Sequence, residues 1–115
     1  MKYMLMMYVE EKARQDVGPE QARRAAEDHA AYAAMLTERG VLIDARAFAP
    51  SAATLVVRGN DAATAERTPG PFAETPEQFG GYYLVHARDL DQAIEFAKAC
   101  PEDIVEVRPI VDATC

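Results

Sequence analysis

Lys2-Tyr3-Met4-Leu5-Met6-Met7-Tyr8-Val9 is a run in which neither alternate set of side chains is polar. Successive strand residues point to opposite faces, so Tyr3, Leu5, Met7 and Val9 share one face and Met4, Met6 and Tyr8 the other. Such a strand is expected to be buried on both sides. Tyr82 to Ala87 repeats the pattern, Tyr82 and Leu84 lying against Tyr83 and Val85. A sheet made of these strands needs a cover for each face.

Working outward, Gly18-Pro19 has the form of a helix entry with Pro at the first helical position, and Ala-rich sequence runs on to Gly40, placed as a C-terminal cap. Its apolar stripe is read through Ala22, Ala25, Ala26, Tyr32, Ala33 and Leu36. Asp89 with Gln92 opens a second helix whose inner face is Leu90, Ala93, Ile94, Ala97 and Cys100, and Pro101 stops it. Val41 to Phe48 and Ile104 to Val111 read as strands. Thr54 to Val57 with Ala62 to Arg67 reads as a hairpin around Gly59-Asn60-Asp61. Thr68 to Gly81 is rich in Pro and Gly and is expected to be a turn-rich loop, within which Thr75-Pro76-Glu77-Gln78 fits a capping box opening one helical turn.

Apart from the hairpin the order is strand, helix, strand, strand, helix, strand. That is an α+β fold of ferredoxin-like βαββαβ type with a hairpin insertion, in one domain over residues 1–115. Right-handed crossovers place both helices on one face. The other keeps Tyr, Met, Leu and Val side chains uncovered, and a second copy is the simplest cover, so a homodimer is expected.

A chain of 115 residues buries roughly 65% of its unfolded surface and needs no metal or disulfide to fold. The formal net charge of −7 without any local Lys/Arg cluster disfavours nucleic acid and anionic membrane surfaces as partners. The apolar start is too short and too soon acidic for a signal peptide or membrane span, which points to a cytoplasmic protein with Cys100 and Cys115 as free thiols.

Among residues able to carry chemistry, His29 lies in the apolar stripe of the first helix and is expected to point toward the sheet. Ringed by small Ala side chains, its imidazole suits a general acid or base for a small ligand in the helix-sheet cleft, the simpler alternative being a hydrogen-bonded core histidine. Asp28 points about 100° away around the helix and is a poor orienter. Asp44, after Val41-Leu42-Ile43, is a candidate partner for His29 or a solvated strand-end carboxylate. Tyr8, Tyr82 and Tyr83 are candidates to line a pocket or to pack at an interface. Phe72 and Glu74 in the turn-rich loop are candidate ligand contacts, their plain reading being a buried plug and a surface charge. His86 is given no role. No phosphate loop, nucleophile elbow or metal-ligand cluster is present, so no cofactor and no metal are expected.

Gly70-Pro71-Phe72-Ala73-Glu74-Thr75, followed by Glu77-Gln78-Phe79-Gly80-Gly81-Tyr82-Tyr83-Leu84, resembles the signature of DGPF-domain proteins, a branch of the YCII-related family. The opening Met1-Lys2-Tyr3-Met4-Leu5, Asp89-Leu90-Asp91, Ala99-Cys100-Pro101 and Val105-Glu106-Val107-Arg108-Pro109-Ile110 are similar as well. The resemblance implies a ferredoxin-like fold, dimeric α/β-barrel assembly, and a histidine on the first helix acting with an Asp. It departs at Pro69, where the naming motif has Asp. Two functions follow. In one, a small molecule sits in the helix-sheet cleft and His29 moves a proton in an isomerase-like or lyase-like step, with the Thr68 to Gly81 loop as the rim. In the other, which the resemblance implies through a link to extracytoplasmic-function sigma factors, the chain is a non-enzymatic module whose acidic surface meets a basic partner.

Overall fold

Along Lys2–Glu10 (β1) burial alternates residue by residue: Tyr3, Leu5, Met7 and Val9 are buried, while Met4, Met6 and Tyr8 are half-exposed. The computed structural model, which describes residues 1–111, continues with α1 (Glu11–Gln15), α2 (Pro19–Glu38), β2 (Leu42–Ala47), a 3-10 turn at Ser51–Ala53, β3 (Leu55–Arg58), β4 (Glu66–Pro69), β5 (Glu77–His86), α3 (Leu90–Ala99) and β6 (Ile104–Pro109). Cys115, read as a free thiol, lies outside the described residues.

The main sheet has the order β2-β5-β1-β6 and β3 pairs with β4 separately. Every pairing is antiparallel. With the β3–β4 ribbon set aside, this is the strand order of a ferredoxin-like fold, as the alternation of strand and helix predicts. Tyr3, Leu5, Met7, Tyr83 and Val85 pack against Tyr32 and Leu36 of α2 and Ala93, Phe96 and Cys100 around α3. Met4, Met6, Tyr82 and Leu84 form the opposite face, half-exposed and without a helix. The chain is accordingly a plate, 47 × 46 × 18 Å, with a radius of gyration of 16.4 Å, against about 13 Å for a compact chain of this length.

Local chemistry explains the boundaries. Gly18 caps α2 with Pro19 at its first position, and Gly40 adopts φ +73°, the left-handed turn that ends a helix without a Cβ clash. Asp89 accepts the Gln92 N–H, and the Gln92 side chain accepts the N–H of Arg88. Gly81 sits where a Cβ would lie 2.6 Å from the Arg46 carbonyl oxygen, so only glycine lets β5 approach β2 this closely.

Four expectations change. Ala22, Ala25 and Ala26 are exposed, because α2 meets the sheet only from His29 onward and its packing rests on Tyr32 and Leu36. In α3 Phe96 supplies the buried ring, while Leu90 is 48% exposed. The ribbon pairs Leu55 with Pro69 and Arg58 with Glu66, leaving a longer connection than a tight Gly-Asn-Asp turn. The capping box at Thr75 to Gln78 does not open a helix: β5 already begins at Glu77, and the Gln78 amide instead donates to the carbonyls of Ala73 and Thr75. Cross-strand pairing of Gln78 with Val9 outweighs one turn of isolated helix. A short helix absent from the sequence reading, α1, follows β1 directly.

Candidate functional site

His29 is carried on the third quarter of α2 and its side chain is 25% exposed. Its Nδ1 lies 2.8 Å from the hydroxyl of Tyr83 on β5, and its Nε2 lies 2.8 Å from Oε2 of Glu102. The His29 and Tyr83 rings are nearly parallel with centroids 6.0 Å apart. Tyr32 meets the Tyr83 ring edge-on at 4.9 Å and donates its hydroxyl to the Phe96 carbonyl, which fixes the ring that fixes the hydroxyl.

Glu102 follows the Pro101 stop of α3, its side chain only 10% exposed. Nη2 of Arg14, on α1, is 2.8 Å from both of its carboxylate oxygens. The neighbouring Glu11 binds the backbone N–H and hydroxyl of Ser51, so α1 is pinned at both ends. Those two hydrogen bonds hold the Glu11 carboxyl below its usual range. Burial raises the Tyr83 hydroxyl to about 12 and the Cys100 thiol to about 12, with the Glu102 charge adding in the same direction to both. Tyr83 therefore stays a protonated donor at neutral pH, and Cys100 stays an inert thiol.

His29, Tyr83, Glu102 and Arg14 line a cavity of about 160 Å³ together with Met7, Val9, Ala45, Arg46, Ala47, Gly80 and Tyr82. Met7, Val9 and the two alanines supply its apolar lining.

The other candidates lie elsewhere. Asp44, expected as the partner of His29, is on the open face of the sheet, where it accepts the Tyr82 hydroxyl at 2.8 Å and pairs with Arg46. The Tyr82 hydrogen bond lowers its carboxyl and raises the Tyr82 hydroxyl in turn. Residue alternation is the reason: Asp44 pairs with Leu84 and so points away from the Tyr83 side. Tyr8 stacks on Phe79 at 5.7 Å and reaches Glu106 with its hydroxyl. Phe72 is 73% exposed, with the Arg58 guanidinium 5.1 Å above its ring, and Glu74 is exposed. Tyr8, Phe72, Phe79, Phe48 and Leu55 line a second, larger and mostly apolar cavity of about 710 Å³ between ribbon and sheet. The turn-rich loop thus borders that cavity, and only Gly80 of it reaches the one beside His29. The larger space is lined by Tyr8 and Glu77 as its ionisable groups and holds no histidine.

Sequence reasoning missed Arg14 and Glu102. Glu102 had one legible signal, its position directly behind the Pro that ends α3. Arg14 had none, since its helix is too short for a periodic pattern.

Among the described residues no three His, Cys, Asp or Glu side chains converge as a metal site, and no helix is long and apolar enough to cross a membrane. The model of the YCII-related domain matches residues 1–114. An uncharacterized protein of Rhizobium meliloti (strain 1021) is 32% identical over 98 residues, covering 85% of this chain and 78% of that protein.

Proposed function

The chain belongs to the YCII-related family, and on that premise we propose that it binds a small molecule in the cavity beside His29 and moves a proton there in an isomerase-like or lyase-like step. The observation that carries this reading is the His29 imidazole held between a carboxylate and a phenol at the wall of a cavity. A general base gains a positive charge when it takes a proton, and the Glu102 carboxylate 2.8 Å from Nε2 stands where that charge would form.

The size and lining narrow the ligand. A volume of about 160 Å³ compares with engineered cavities of ~150 Å³ that hold one benzene-sized molecule. Apolar Met7, Val9, Ala45 and Ala47 would meet a short carbon chain, and Arg14, 52% exposed beyond its bond to Glu102, favours a carboxylate. Short-chain oxo acids have this shape. The Gly70-Pro71-Phe72 motif supports placing the chain in the DGPF branch, and the helix-free sheet face supports a homodimer.

The test is a thermal-shift series with short-chain oxo acids. A binding member at 100 times its Kd should stabilise the protein by about 2.7 kcal/mol, and His29→Ala should stop solvent exchange of its acidic C–H while the ligand still binds. No stabilisation across the series, or exchange at the parental rate in His29→Ala, would reject the reading.

A further inference from the structure

We propose that Glu102 is the positioning residue of the site, fixing the tautomer of His29, and that the hydroxyl of Tyr83 is the group that exchanges a proton with the ligand. This rests on the reading of the His29 cavity given above and names the atoms through which it acts.

The argument starts from donors and acceptors. A carboxylate only accepts, so Glu102, with Arg14 against both its oxygens, requires His29 to carry its proton on Nε2. Neutral His29 then offers Nδ1 as an acceptor, and the partner 2.8 Å away is a hydroxyl able to donate. Both ring nitrogens are thereby engaged, leaving none for a ligand. The Tyr83 oxygen, in contrast, keeps a lone pair beyond its bond to His29, and Tyr83 lines the cavity.

A proton can enter by that route without any further reactant. When a C–H beside a ligand carbonyl gives its proton to the Tyr83 oxygen, the Tyr83 proton passes to Nδ1 of His29. The C–H electron pair moves onto the carbonyl oxygen of the ligand as an enolate. His29 becomes an imidazolium between the Glu102 carboxylate and a neutral phenol. Reversal of the two proton moves toward a different carbon of the ligand completes an isomerisation in which one proton enters and one leaves. The substrate class is a small enolisable carbonyl compound. Arg14 serves one step further out, since α1, tied to Ser51 through Glu11, sets where the Glu102 oxygens sit.

The test combines a structural and a chemical readout. The ¹⁵N resonances of the His29 ring, recorded at mildly alkaline pH, should show the Nε2-protonated tautomer in the parent protein and in Tyr83→Phe, and a mixture of tautomers in Glu102→Gln. Proton NMR in D₂O should show exchange of the acidic C–H of short-chain oxo acids. That exchange should fall about a hundredfold in Tyr83→Phe with oxo-acid binding retained, and at least about tenfold in Glu102→Gln. If Glu102→Gln does not fold, Glu102→Asp, whose shorter side chain draws the carboxylate back from Nε2, gives the same tautomer test. An unchanged tautomer overturns the role of Glu102, and exchange at the parental rate in Tyr83→Phe overturns the role of Tyr83. Oxo-acid binding without exchange in the parent protein also overturns the role of Tyr83 while leaving the binding site standing. The absence of binding rejects the site itself, and the tautomer result still decides Glu102.

Discussion

Tyr82 and Tyr83 are neighbours in sequence and opposites in circumstance. Tyr83 points to the helical face, where its ring is wedged against Tyr32 and its hydroxyl joins His29, Glu102 and Arg14. Tyr82 points to the open face, where its hydroxyl donates to Asp44 and Arg46 completes the cluster. Both faces hold a tyrosine, a carboxylate and an arginine. Only the helical face adds an imidazole, and its carboxylate is the more buried, Glu102 being 10% exposed against 33% for Asp44. The difference shows that chemistry here follows from the layer laid over the sheet, since the strand supplies the same residue type to both sides.

The largest test of that contrast is packing. Phe96 is 1% exposed in the helical layer, and Phe96→Ala should cost about 3–5 kcal/mol in denaturant unfolding. Met6 stands on the open face, half-exposed in the single chain. Met6→Ala should cost about 1 kcal/mol or less if that face stays in water, and about 2–5 kcal/mol if a second copy buries it. The homodimer reading expects the larger figure, together with a monomer mass for Met6→Asp in light scattering coupled to gel filtration. A parent protein that runs as a monomer at micromolar concentration would reject the homodimer.

The two arginine–carboxylate pairs sharpen the comparison at smaller scale. Arg14→Ala leaves a carboxylate that is 10% exposed without its cation, and a loss of about 1–2 kcal/mol is expected after allowance for the exposed Arg14 end. Arg46→Ala removes a cation that is 66% exposed from a carboxylate that stays in contact with water. Chemical denaturation should show no measurable change for it. Equal losses in the two variants would mean that the helical face shields its pair no better than the open one.

How much of this contrast was legible in the sequence depends on what kind of signal each part leaves. Alternation in Lys2 to Val9 and Tyr82 to Ala87 announces a two-faced sheet, and the Asp89–Gln92 and Gly18-Pro19 signals mark helix starts, because these are local rules read over a few residues. His29 was legible for the same reason, since helical spacing from Tyr32 and Leu36 turns it inward. Its partners were not. Glu102 lies 73 positions away and reaches His29 through the packing of α3, which no periodicity records. Asp44 was chosen by nearness to a strand end, and the bulge between Leu42 and Asp44 decides instead that it shares a face with Tyr82. Capping chemistry at Thr75 misled because a strand pairing with β1 competes for the same residues and buries more.

The smallest expected effect is an alkaline one. Burial raises Tyr83 to about 12 from an ordinary 10, so the folded chain keeps that proton over a range in which the unfolded chain has lost it. The folded state then binds more protons, and stability falls as pH rises. The contribution is complete below pH 10 and disappears on passing through about 12, the value Tyr83 has in the folded chain. Cys100, raised from 9 to about 12, acts with the same sign and begins to do so about pH 9. Tyr82 is also raised, chiefly by its bond to Asp44, but it stays in contact with water. Tyr83→Phe should therefore flatten the alkaline decline of unfolding free energy more than Tyr82→Phe does, and Cys100→Ala should flatten its lower end. Phenolate absorbance in a pH titration of the two tyrosine variants gives an independent reading. If the ionisation lost with Tyr82 lies as high as the one lost with Tyr83, the helical layer excludes water no better than an open sheet face, and the contrast between the two faces fails.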